Sequence, residues 1–165
     1  MAAAKFYGVL DLARAPHLYE HVARLEHEAA ECLFAGRLAP EVRRASPFLV
    51  ELEPADPLSK LWRGQGWGGA WGILLSSRQG LPVVRRRLRH FTMAKLPDGS
   101  GPMMFRFWDP RVLRTYLPLA ERDALADWFK DIDLYILETE DGKGSIRYSF
   151  KNGNLVSTVG PAPTG

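Results

Sequence analysis

Apolar residues in the first ninety positions come in short blocks, broken by prolines, glycines and charges. Residues 5–12, Lys-Phe-Tyr-Gly-Val-Leu-Asp-Leu, are almost continuously apolar and predict a buried strand. Leu18, Val22 and Leu25 then recur at helical spacing, with Pro16 suited to the first turn. Residues 31–36 predict a short strand ending at Gly36, and residues 46–52 another opened by Pro47. Asp56-Pro57 has the order of an N-cap and a first helical residue, and Gly64 or Gly66 marks the stop of that helix. Residues 70–77 predict a strand, and Leu81, Val84, Leu88 and Phe91 make one face of a helix. Alternating strands and helices predict an α/β (mixed) fold, with a partly parallel central sheet flanked by helices.

The pattern changes beyond residue 90. Asp98-Gly99-Ser100-Gly101 predicts the turn of a hairpin whose second strand runs to Trp108. On that strand Met103, Phe105 and Phe107 would face one way, and Met104, Arg106 and Trp108 the other. Asp109-Pro110 then opens a helix with Val112, Leu113, Tyr116 and Leu117 as its apolar face, and another helix covers about residues 120–129. Turn signals at Asp141-Gly142 and Asn152-Gly153 separate three alternating runs, a C-terminal antiparallel strand meander. The expected organisation is one domain over residues 1–165: an α/β part to residue 130, a strand-rich part over 131–159, and a flexible tail over 160–165.

Composition narrows the function classes. The 165 residues are 46% hydrophobic and 25% charged, enough for one soluble domain with a real core. A net charge of +3 is too small to imply nucleic acid by itself. Cys32 is the sole cysteine, so no internal disulfide forms; its apolar setting predicts an inert buried thiol. Met-Ala-Ala-Ala-Lys lacks the apolar core of a signal peptide, and no apolar run reaches the roughly 18 residues of a membrane span. The expectation is a cytoplasmic protein with no membrane span.

Three stretches invite a chemical reading. His17-Leu-Tyr-Glu20-His21 fits the H-x-x-E-H pattern of zinc hydrolases, with both histidines on one helical face and Glu20 as general base. A third ligand is needed, and nothing singles one out among Glu26, Glu28 and Glu31. Arg85, Arg86, Arg87 and Arg89 lie off the Leu81/Val84/Leu88 stripe and would form one basic patch, for phosphates, carboxylates or a small nucleic-acid site. The patch lacks aromatic stacking residues or a docking motif, so a solvated face or a protein contact is expected instead. The glycine-rich residues 64–72 lack the Lys-Ser/Thr of a phosphate loop and predict a turn packed by Trp67 and Trp71. No catalytic residue, metal or cofactor is expected.

The densest stretch is Phe-Arg-Phe-Trp-Asp-Pro-Arg-Val-Leu, residues 105–113. Asp109 and Pro110 read as a helix start. Arg106 sits among large aromatics, and Arg111 falls in a first helical turn, where the helix dipole disfavours a cation. Each calls for a carboxylate, either within the chain or on a partner protein.

This stretch resembles the type VI secretion effector chaperones, or adaptors. The matching positions are Leu88, Arg89, Pro97, Asp98, Gly99, Phe105, Arg106, Phe107, Asp109, Pro110, Arg111 and Leu113, with Trp108 in place of the usual Tyr or Phe. Leu10, Asp11 and Ala13, the run 46–52 and the run 71–77 resemble the family's other segments in the same order, so the likeness covers about residues 6–130. It implies a non-enzymatic protein that binds a toxic effector and helps load it onto a trimeric spike protein. On that reading Arg106, Trp108 and Arg111 are binding hot spots, with Arg85, Arg86 and Arg89 steering the approach. The strand-rich C-terminal part departs from the family, many members of which continue with helices.

Overall fold

The computed structural model describes residues 1–164. Inside its main sheet lies β1, Lys5–Asp11, with β3 (Pro47–Leu52) on one side and β4 (Gly72–Ser77) on the other. Beyond β3 lies β2, Ala30–Cys32, shorter than the expected run to Gly36. Beyond β4 follow β7 (Leu134–Glu138), β8 (Gly144–Lys151) and β9 (Asn154–Pro161). These make one seven-stranded sheet in the order β2-β3-β1-β4-β7-β8-β9.

Every strand pairing in it is antiparallel, which corrects the partly parallel sheet expected from strand–helix alternation. The alternation is present, but strands joined through helices are either antiparallel neighbours, as β2–β3 and β4–β7 are, or have another strand between them. β3 and β4 both run opposite to β1, so they share a direction while β1 lies between them. β1 and β7 are likewise separated by β4. Parallel strands exist, and none of them are neighbours. The C-terminal meander forms as expected, but it extends the central sheet through the β4–β7 pairing. Gly160 and Pro161, expected in the tail, belong to β9; residue 165 lies outside the described residues.

Alternation along the strands gives each sheet face its own core. Tyr7, Val9, Leu49, Ile73, Leu75, Tyr135 and Leu137 face α4 (Leu81–Arg89), α5 (Pro110–Tyr116) and α6 (Arg122–Trp128). Trp128 is the hub of this layer, stacked on Phe91 at 3.8 Å and edge-on to Phe107 at 5.5 Å. The opposite face buries Leu10, Phe48 and Val50 against α1 (Tyr19–Leu25) and α3 (Pro57–Leu61). Here Gly8 leaves the room that the Trp62 ring fills; a β-carbon at Gly8 would overlap that ring. A short helix α2, Pro40–Arg44, precedes β3. β5 (Met93–Lys95) and β6 (Pro102–Met104) form a separate two-stranded hairpin. No helix among the described residues is long and apolar enough to cross a membrane.

Candidate partner-binding site

The expected second hairpin strand stops at Met104 rather than Trp108. Beyond it the Phe107 N–H donates to Phe105 O at 2.9 Å, and the Asp109 N–H to Arg106 O at 3.1 Å. These tight turns break the two-residue period, so Phe107 and Trp108 both enter the core instead of opposing each other. Trp108 is 2% exposed, edge-on to Phe34 and Phe107. It anchors the corner and offers no surface to a partner.

Asp109 caps α5 as expected: its Oδ1 accepts the Arg111 N–H at 2.9 Å, and Pro110 occupies the first helical position. The Arg111 guanidinium folds back onto the same carboxylate through Nε to Oδ1 at 3.0 Å and Nη2 to Oδ2 at 2.7 Å. Burial pushes the Asp109 carboxyl up, but these hydrogen bonds and the nearby cations outweigh it and hold the group below the usual aspartate range. Arg106 Nη2 donates to Asp11 Oδ2 at 2.6 Å. Both carboxylates are buried, whereas the arginine side chains stay 49% and 57% exposed. The partners that the sequence called for are therefore inside the chain, and each guanidinium still presents an edge to solvent.

A third carboxylate completes this end of the sheet. Glu138, at the end of β7, accepts the Gly68 N–H at 2.8 Å and the Ala70 N–H at 3.0 Å. It fastens the glycine-rich loop, whose Gly68 and Ala70 have φ of 89° and 55°. Burial raises the Glu138 carboxyl above its ordinary value, against the pull of those two N–H groups. Sequence reading missed Glu138; the signal was an acid closing the apolar run Leu134-Tyr-Ile-Leu. Trp67 and Trp71 are half-buried as expected, with Trp67 Nε1 donating to Gly144 O at 2.9 Å.

The arginines of α4 do not form one patch. Arg85 turns to β2, with Nε 2.8 Å from Cys32 O and 2.9 Å from Glu31 Oε2. Arg87 turns the other way and donates to Asp127 at 2.9 Å. Arg86 and Arg89 make no ion pair among the described residues. They line an open cleft of about 600 Å³ together with Leu33, Phe34, Leu38 and Met104. A second cleft of about 400 Å³, lined by Met93, Ala94, Phe105, Tyr116 and Trp128, also borders the β5–β6 hairpin. The hairpin itself exposes Met93, Met103 and Met104 by 47–50% each. Its tip is set by Asp98, whose Oδ1 accepts the Ser100 N–H at 2.9 Å, and by Gly99 at φ 75°. The half-exposed methionines of the hairpin, the two clefts that border it and the guanidiniums of Arg86 and Arg89, which make no ion pair among the described residues, lie on one region of the surface.

The zinc reading loses its geometry. His17 lies in a 3-10 turn, Pro16–Leu18, ahead of α1, and packs edge-on against Trp71 at 4.9 Å. Glu20 faces Arg44 at 3.8 Å. No group of three His, Cys, Asp or Glu residues able to hold a metal occurs among the described residues. Cys32 is buried, and burial pushes its thiol up, away from the reactive thiolate.

A family model described as "Domain of unknown function (DUF4123)" matches residues 6–127. No curated protein and no solved structure matches the chain.

Proposed function

The chain belongs to the DUF4123 domain family, and from that premise we propose that it is a non-enzymatic adaptor: it binds a type VI secretion effector and helps load it onto the trimeric spike protein. The observation that carries this reading is the β5–β6 hairpin, an arm with three half-exposed methionines bordering two largely apolar clefts. Methionine is flexible and polarisable, and suits a surface that must grip another protein without chemistry of its own. Arg86 and Arg89 at the rim of the larger cleft steer an acidic partner segment, and rim charges of this kind act mainly on association rate. Arg106 and Arg111, pre-oriented by Asp11 and Asp109, serve as secondary contacts through their exposed edges.

The test is co-purification of the tagged chain with candidate type VI effector and spike proteins of the same cell. Capture of either by the wild type, lost in a Met103→Asp/Met104→Asp double variant that still folds, supports the assignment. Wild-type protein that captures neither sinks it.

A further inference from the structure

The sheet is finished differently at its two edges. β2 is three residues long, and its central Glu31 is tied to Arg85. β9 is eight residues long, has no Asp, Glu, Lys or Arg, and is mostly exposed. Its pairing with β8 runs from Lys151↔Asn154 to Gly144↔Pro161 without a skipped residue, so no bulge bends it away. Soluble proteins normally blunt an edge with brevity, charge, bulges or a cover. β9 has only Pro161, at its very end.

The turn before β9 fixes which backbone groups are free. Asn152 and Gly153, with φ of 52° and 78°, form a two-residue hairpin turn of the I′ kind. Such a turn closes on a hydrogen-bonded pair, here Lys151 with Asn154, and such pairs recur at every second residue. Asn154, Val156, Thr158 and Gly160 therefore bond inward to β8, whereas Leu155, Ser157 and Val159 turn N–H and C=O outward.

We propose that β9 pairs antiparallel with the β9 of a second copy of this chain, about a two-fold axis through Ser157. A contact of this symmetry requires a strand that is its own complement. Centred on Ser157, the outward-bonding residues meet one another: Ser157 opposes Ser157 of the partner subunit, and Leu155 opposes the partner's Val159. Leu155 and Val159 share the face of Phe150 and Ile146, so the pairing continues that apolar face and covers Val159, which is 75% exposed. On the other face Val156 opposes the partner's Thr158, two β-branched residues that suit a cross-strand pair. With no charge on the strand, the symmetric arrangement brings no like charges together.

Light scattering coupled to size exclusion tests this on the full chain, independently of any effector. The mass should rise with concentration from 18.5 kDa toward twice that value. Ser157→Lys places two cations on the axis and should hold the mass at 18.5 kDa with an unchanged circular-dichroism spectrum. Should that variant unfold, Ser157→Cys decides: the opposed Cα atoms, about 5.5 Å apart in such a pair, lie within disulfide range, so oxidation should give a covalent dimer that reductant reverses. A wild-type mass that stays at 18.5 kDa at every concentration overturns the proposal. So does a dimer that survives Ser157→Lys unchanged, or one in which Ser157→Cys fails to cross-link.

Discussion

Arg106 Nη2 meets the buried Asp11 Oδ2 at 2.6 Å, joining the end of β1 to the corner before α5 across 95 positions of sequence. Asp11 also accepts the Ala13 N–H at 3.1 Å, so it orders the turn after β1 as well. Removing the cation strands a carboxylate inside the protein. Arg106→Met should lower the unfolding free energy by about 1–3 kcal/mol, held to that range because half of the arginine is solvated. Urea denaturation of the purified variant measures it.

Asp109 makes the same corner sensitive to acid. Its carboxyl is held low in the folded state, so its contribution is complete above the ordinary carboxylate range and is lost as pH falls through the folded value. Glu138 acts in the opposite sense: burial raises it, and protonation in acid relieves the cost of an ionised buried carboxylate. Melting temperature followed from pH 6 to 3 should therefore fall less in Asp109→Asn, and more in Glu138→Gln, than in the wild type. Parallel curves would remove both assignments.

The arginines of α4 should separate by position. Arg86→Glu, on the rim of the larger cleft, should leave stability within about 0.5 kcal/mol and slow partner association. Arg87→Glu replaces the donor to Asp127 and should cost about 2 kcal/mol. Thermal melts paired with binding kinetics at two salt concentrations read both effects.

Gly8 provides a packing test. A methyl there meets the Trp62 ring on one side of β1. Gly8→Ala should destabilise by about 1–3 kcal/mol, and Gly8→Ala/Trp62→Leu should recover part of the loss. Equal melts for wild type and Gly8→Ala would show that the ring moves aside at no cost.

Much of this was legible in the sequence. Asp109-Pro110 capped its helix, Leu81/Val84/Leu88 faced the sheet, and Asp98-Gly99 and Asn152-Gly153 turned their hairpins, because each depends on a few adjacent residues. What failed was non-local. Strand–helix alternation gives strand direction but not which strand slips between two others, so β1 between β3 and β4 was invisible. Trp108 read as surface because period-two alternation was extended through residues that turn. The arginine run read as one patch because Glu31 on β2 and Asp127 on α6, which divide it, lie 40 or more positions away in sequence. Glu138 has its partners 68 and 70 residues upstream, beyond any local pattern.

The interior place of β1 also orders events during synthesis. β1 is an interior strand made before either of its neighbours, which do not exist until residues 47–52 and 72–77 have been made. Tyr7, Val9 and Leu10 thus wait unpaired until β3 has been made, and one edge of β1 stays open until β4 follows, an interval in which exposed apolar surface and a free strand edge invite misassociation.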